Sequence, residues 1–557
     1  MKALPPSAVI SPEISGNSKF NFQSDRTMPG RLAIDFGTSN TVIAVWDEAT
    51  QEGVPLHVPD YGQLYQQGNE KISVIPSQIH YGADRRRWIG YQIQQQNLTQ
   101  SDRTFRWMKR YISTRSPVQR RLDGKQISHF DAGKDFLSTV LLFAASELNL
   151  GDEEVAFTVP VEAFEHYENW LTDVAEVAGI RRFRLIDEPS AAALGYGAHI
   201  QPGDVYLIFD FGGGTLDVAV VLIEESEQSQ IGRRCRVLGK AGMDLGGATL
   251  DGWLFQDVLK QTGRSDIDED VRQLSRAMLV ECERAKVRLS DYDRADVTVM
   301  NPNTGAVLSA EFTRSRFEEL LDENEAFTQI DQAIRRALNT ARERGYQEDD
   351  IKAVLLVGGS SQIPSIQRTV RRIFGKERVM LNRPLDAVAR GAAAFVAGVD
   401  FYDHIQHDYA IRYLNRQQGD YSYRVLVKQG TPYPTAEALA NLTVKASYDG
   451  QTHLGLAIFE MGEQRQRSSS TPMELVFDPS GAARLTSITP DEGDRRAQFW
   501  MNENSPTFLT AEPPANQGEG RFQVEFSIDG NKRLLMTARD LKTGRVTHRN
   551  YPVVKLT

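Results

Sequence analysis

Two short acidic turns carry the most chemistry in this sequence. They are "DFGTSN" at Asp35–Asn40 and "DFGGGT" at Asp210–Thr215. Each lies between apolar runs, in "LAIDFGTSNTVIAVW" and "LIFDFGGGTLDVAVV". An Asp at the end of a strand, followed by Gly, sets a carboxylate beside exposed backbone N–H groups. Glycine lets the backbone approach an anion closely, and successive N–H groups form an anion-binding nest. The hydroxyls of Thr38, Ser39 and Thr215 follow. Asp35, Asp210 and Asp217 are the ligand type that holds a hydrated Mg²⁺. One such turn would pass as an ordinary hairpin. Two matching turns and a third glycine site, "VLLVGGSSQIP" at Val354–Pro364, point to one phosphate-bearing ligand. That third site is a strand running into Gly358, Gly359 and Ser360, with a helix start at Pro364. No G-x-x-x-x-G-K-[ST] or H-R-D pattern occurs, which excludes the P-loop and the protein-kinase catalytic loop.

The elements that must position these turns alternate between strand and helix from Arg31 to about Gly398. The strands include "VAFTVP" and "AVLLVGG"; the helical candidates are Asp135–Asn149, Val161–Ala178, Val271–Ser290 and Phe327–Arg344. From His404 to Thr557 helical periodicity nearly vanishes and alternating stretches predict an antiparallel β domain, with "SSSTPM" and "NSPTFLTAEPPANQGEG" as long loops. A chain of 557 residues predicts two to four domains. The boundaries are residues 1–30 as a disordered tail, 31–398 as an α/β domain, 399–408 as a short linker and 409–557 as the β domain. The tail has no signal-peptide pattern. No run reaches the length of a membrane span, and the net charge of -10 argues against a general nucleic-acid binder. Two cysteines, Cys235 and Cys282, make no disulfide framework and favour a cytoplasmic setting.

Five segments in order resemble the actin-like ATPase superfamily: "LAIDFGTSN", "DEPSAAALGYG", "LIFDFGGGTLDVAVV", "VLLVGGSSQIPSIQ" and "DAVARGAAAFVAG". Within it, Val159–Pro160, "IDEPSAAALGYG" and "DLGG" at Asp244–Gly247 resemble the DnaK-like, 70-kilodalton heat-shock chaperones. The resemblance implies a two-lobed actin-like ATPase domain (a duplicated ribonuclease-H-like fold) followed by an antiparallel β sandwich. It implies ATP or ADP with Mg²⁺ as cofactors, and one phosphate turn from each lobe. Asp35 and Asp210 would position Mg²⁺, largely through water. Gly37, Thr38, Ser39, Asn40, Gly212, Gly213, Gly214 and Thr215 would hold phosphates, with Gly246, Gly247, Gly358, Gly359 and Ser360 completing the nucleotide site. Lys109 in "FRWMKRYI", Glu188 in "DEPS", Thr215 and Asp217 would be the catalytic set. Phosphoryl transfer needs positioning and charge neutralisation more than covalent help, and this set supplies both. Glu283, Lys286 and Ser290 share one helical face and match positions that bond ribose and adenine. Asp386 matches one acid of a further nucleotide-contacting run, and Leu385 replaces the other. Val287 and Gln362 stand where many relatives stack adenine between two arginines, which implies an altered nucleotide grip.

The β domain carries the same resemblance more faintly, in "YRVLVKQGTPYPT" and "VEFSIDGNKRLLMTARDLKTG". These bracket the family's peptide-binding sandwich. Leu454, Leu456 and Ile458 lie on one strand face and are candidates for a peptide groove or for the domain's own core. The chain is expected to lack the family's helical lid. Phe401 and Tyr402 would replace the linker's leucines, and Glu168 stands where an arginine is usual. His404 and His407 have no further ligands nearby in sequence. The expected function is an ATP-hydrolysing switch, slow in turnover, coupled to binding of unfolded or extended polypeptide. Partners would be client chains, a J-domain co-chaperone and a nucleotide-exchange factor, with neither nucleic acid nor membrane, and the protein a monomer. The alternative is a nucleotide-sensing regulatory or adaptor protein with little turnover. An actin-like filament protein is a third reading, disfavoured by the appended β domain.

Overall fold

The computed structural model describes residues 31–557 apart from 68–69, 149–153, 162, 198–199, 228, 231, 416–419, 463–472, 488, 490–496, 504–505 and 530–531. The tail and most of "SSSTPM" lie outside the described residues. Both acidic turns join the first two strands of a mixed sheet. In the first sheet Leu32–Phe36 pairs antiparallel with Asn40–Asp47 and parallel with Val155–Val159, which is followed outward by Phe183–Asp187. In the second, Val205–Phe211 pairs antiparallel with Leu216–Glu225 and parallel with Ile351–Val357. The same strand–turn–strand plan is used twice. These strands are nearly continuous apolar runs because helices cover their faces. The helices Glu165–Val177, Glu269–Asp291 and Ala326–Glu343 lie close to their expected positions. The helix expected over Asp135–Asn149 starts earlier, at His129, and is described to Leu148.

The two sheets and the helices on them form two lobes, each with its own core. A third core lies between them, built on the crossing of Glu188–Gly195 and Ala387–Val396. That crossing depends on two glycines. A Cβ on Gly195 would collide with the carbonyl of Ala387, and one on Gly391 with the carbonyl of Ala191.

Beyond the lobes the described residues form antiparallel strands joined by turns and loops. A sheet of Asp420–Val427, Asp408–Asn415, Gln451–Met461, Gln498–Trp500 and Thr507–Ala515 faces a sheet of Ala440–Lys445, Gly520–Ile528, Arg533–Asp540 and Val546–Lys555. Their apolar faces enclose one core. Leu454, Leu456 and Ile458 are 2%, 2% and 0% exposed within it, so the face they share packs against the opposite sheet. The expected loop over "NSPTFLTAEPPANQGEG" is corrected: Thr507–Ala515 is a strand pairing with Gln451–Met461. Pro513 and Pro514 suggested a loop, but they fall near the strand's end, where the ladder shifts register. A further hairpin, Met473–Phe477 with Ala483–Ser487, stands apart as a two-stranded sheet.

The linker is itself structured. Asp400–Tyr402 pairs parallel with Arg233–Met243 and extends the second lobe's sheet. Phe401 packs on Phe395, with ring centroids 5.6 Å apart, while Tyr402 lies under Arg234. Glu168 meets Lys555 of the β domain at 3.3 Å. His407 bonds to Glu460 at 2.9 Å and stacks on Phe164, joining the domains.

Candidate active site

The duplicated sheets bring their two turns face to face. A Cβ on Gly213 would lie 2.5 Å from Ser39 Oγ, and one on Gly214 would overlap Thr38 Oγ1. Only glycine permits this approach, and the cradle opens onto the hydroxyls of both turns. Each turn is closed by a backbone bond, Gly37 N–H to Asn40 O at 2.9 Å and Gly212 N–H to Thr215 O at 3.0 Å. "DLGG" supports the second turn: the N–H groups of Gly247 and Ala248 donate to the carbonyls of Gly212 and Gly213 at 3.0 and 2.8 Å. The third glycine site joins them. Gly358 has φ +80°, which suits glycine, and a Cβ there would strike Phe211 and Asp210. Ser360 Oγ donates to Gly212 O at 2.8 Å.

Beside this cradle lie three buried carboxylates, those of Glu188, Asp210 and Asp217, the half-buried Asp35 and the buried ammonium of Lys109. Lys109, on the short helix Met108–Ser113, bonds to Glu188 at the start of its own helix. Their side chains are 5% and 8% exposed. Burial works to lower Lys109, but Glu188, Tyr167 and Asp35 hold its ammonium well above the ordinary lysine value. Asp35 takes a bond from Thr158 Oγ1 at 3.0 Å, and burial followed by the charge of Glu188 pushes its carboxyl up to about 7. Asp210 and Asp217 are direct cross-strand partners. Burial and Glu188 raise Asp217 to about 8 and Asp210 well above the usual carboxylate range. Like charges opposite one another in a ladder destabilise a sheet.

This arrangement suits a divalent cation. Asp217 accepts the Val161 N–H at 3.1 Å through one oxygen, while its other oxygen is buried without a partner among the described residues. Lys109 alone does not balance the acids around it. Among the described residues no three His, Cys, Asp or Glu side chains are placed to hold a metal directly. The carboxylate oxygens of Asp35, Asp210 and Asp217 are hard donors of the kind that suits Mg²⁺.

The adenosine-side candidates lie on Glu269–Asp291. Lys286 donates to Gly247 O at 3.0 Å and pairs with Asp251 at 2.9 Å, so it is anchored to the second turn's support. Glu283 is gripped by Arg106, which crosses from the first lobe and stacks on Trp107. Burial alone would raise Glu283; Arg106 and Lys286 hold it low. Ser290 Oγ stays within its helix, 3.5 Å from Lys286 O. Val287 and Gln362 are exposed.

Asp386 is set apart from the rest. It is fully buried, bonded to Arg390, and accepts Gln67 Nε2 at 2.7 Å. Its carboxylate is committed to a network between the lobes. Arg106 was missed by sequence reasoning, because its partner Glu283 is distant in the chain and "FR" carries no signal. Asp187 was missed too. It caps the Glu188 helix by accepting the Ser190 N–H at 2.9 Å and pairs with Lys240 at 2.6 Å.

A family model described as Hsp70 protein matches residues 118–410. Among curated proteins, heat shock protein hsp-6 of Caenorhabditis elegans is 27% identical over 556 aligned residues, covering 94% of this chain and 75% of the relative.

Proposed function

Because this chain belongs to the Hsp70 family, matched over residues 118–410 of 557, we propose that it is an ATP-driven polypeptide-binding chaperone. A chaperone-like function follows from membership, and members of the family are ATPases that use ATP or ADP with Mg²⁺. The finer reading is an actin-like pair of lobes that hydrolyses Mg-ATP slowly and biases an appended β sandwich that binds extended polypeptide. The observation that carries it is the buried Lys109–Glu188 pair facing Asp35, Asp210 and Asp217 between two opposed glycine turns.

Mg²⁺, when bound, would neutralise phosphate charge and orient the phosphoryl group. Asp35 and Asp210 would hold its water shell, one from each lobe. The N–H groups and hydroxyls of Thr38, Ser39 and Thr215 would fix the terminal phosphates. Glu188 would orient the attacking water and accept its proton at a carboxylate oxygen. Lys109 would hold that carboxylate in place and present positive charge toward the transferring group. The site's burial strengthens each of these interactions relative to water.

The docked linker and the ion pairs between domains support coupling of the site to the β domain. Client chains, a J-domain partner and an exchange factor belong to this reading, as does a cytoplasmic setting, in which Cys235 and Cys282 stay as free thiols. The test is ATP turnover with and without a reduced, unfolded polypeptide. Stimulated, Mg²⁺-dependent turnover that Thr215→Ala abolishes supports the proposal. Turnover that is insensitive to polypeptide and equal in both proteins overturns it and favours the nucleotide-sensing alternative. Peptide affinity unchanged between ATP and ADP overturns the coupling.

A further inference from the structure

The hairpin Met473–Ser487 belongs to the β domain by chain order, yet its side chains are buried elsewhere. Leu475, Phe477 and Ala483 are 5%, 1% and 0% exposed, and all three join the core that includes the second lobe's helices rather than the sandwich core. Its contacts fall on both lobes. On the second lobe, Ala483 N–H donates to Ser275 Oγ at 2.9 Å and Leu485 N–H to Asp266 Oδ2 at 3.0 Å. On the first, Phe477 N–H donates to the Tyr111 hydroxyl at 3.2 Å, and Arg110 pairs with Glu474 at 3.0 Å. The Phe477 ring lies 5.6 Å from Trp107 and 5.4 Å from the Arg120 guanidinium.

These anchor points flank the active site. Trp107, Arg110 and Tyr111 surround Lys109 in sequence and lie at or beside its helix. Ser275 is on the same helix as Glu283, Lys286 and Ser290. The hairpin's backbone N–H groups find side-chain acceptors on the lobes, so the seat is matched in polarity as well as shape. Parting the lobes at this edge would return Phe477 and Leu475 to water and orphan those N–H groups. A two-stranded hairpin is marginal alone, so its order depends on this seat.

We propose that the hairpin Met473–Ser487 is a built-in clamp across the two lobes, and that nucleotide leaves the site only when the hairpin withdraws. The proposal rests on the nucleotide-binding reading of the site. It makes release of ADP or ATP dependent on a piece of the β domain, so that a partner able to lift the hairpin would act as an exchange factor.

The test is the release rate of a fluorescent ADP analogue from the full chain by stopped flow. Phe477→Ser with Glu474→Gln is expected to release it at least tenfold faster than wild type, with single-turnover hydrolysis unchanged. A gain-of-function variant guards against misfolding. Ser275 Oγ lies 2.9 Å from the Ala483 amide and both side chains are short, so Ser275→Cys with Ala483→Cys brings two thiols together. Its oxidised form should release at least tenfold more slowly, and reduction should restore the rate. The natural cysteines are both fully buried. In hydrogen exchange, the Ala483 and Leu485 amides of the nucleotide-free protein should be protected. Wild-type release rates in both variants overturn the clamp alone. Exchange of those amides at unfolded-chain rates overturns the seat. No measurable nucleotide binding by wild type overturns the site reading and the clamp together.

Discussion

Lys240 and Asp403 form a buried ion pair at 2.7 Å that ties the second lobe to the segment entering the β domain. The same ammonium lies 2.6 Å from Asp187, the residue preceding Glu188. One lysine therefore links the interdomain segment to the strand end that carries a candidate catalytic acid.

Removing that lysine should be costly. Lys240→Met leaves Asp187 and Asp403 buried without their cation, and breaking one partner of a buried pair typically costs about 3–5 kcal/mol. Burial works to raise Asp403, but Lys240 holds it down at about 2. A depressed carboxylate stabilises the fold above its unfolded value near 4, and that contribution is lost as pH falls toward 2. Urea unfolding at pH 7 and pH 3 should show a large Lys240→Met deficit at the first and a smaller one at the second. Equal deficits at both would contradict the ion-pair account.

Charge neutralisation at the active site is tested by Lys109→Met and Glu188→Gln. Each should slow single-turnover ATP hydrolysis by about 10²–10³ while nucleotide still binds, since each removes a group acting on the reacting atoms. A variant that keeps wild-type turnover rules out its residue.

The adenine grip is tested by gain of function. Val287 is 60% exposed on the helix face that carries Glu283 and Lys286. Val287→Arg should add stacking on adenine worth about 0.5–1 kcal/mol, or a two- to fivefold tighter dissociation constant for ADP. Calorimetric titration measures it. Unchanged affinity would place adenine away from this face.

Docking of the two domains should weaken in alkali. Glu165 is pushed up to about 8 by burial and by Glu460 and Glu168, with Lys555 opposing. A raised carboxyl is protonated in the docked form and ionised once released above about pH 4.5. Docking therefore takes up a proton, and rising pH opposes it by at most about tenfold per unit between 4.5 and 8. Interdomain energy transfer between dyes should fall from pH 7 to 9 in wild type and stay flat in Glu165→Gln. A flat wild-type profile would reject the linkage.

Much of the site was legible because its chemistry is local. An Asp ending an apolar strand, then glycines, then hydroxyls specifies a turn, an anion nest and a carboxylate within six residues. The resemblance carried by those turns implied two similar lobes, and the strand pairings around Asp35 and Asp210 are alike. The strand at Thr507–Ala515 was not legible, because local turn chemistry competed with a ladder to a strand far away in sequence.

The sequence by itself determined the turns, the helix carrying Glu283, Lys286 and Ser290, and the change from α/β to β near Val399, since each is encoded by neighbours within a few residues. Tertiary structure alone decided which charges meet. Lys109 finds Glu188, Arg106 finds Glu283 and Lys240 finds Asp403 only because sheets and helices from distant segments pack together. It also decided the fate of Asp386, drawn into a lobe-joining network, and of Phe477, buried outside the sandwich whose strands flank it in the chain. Burial sets the worth of each such pair, and burial is a property of the packed whole.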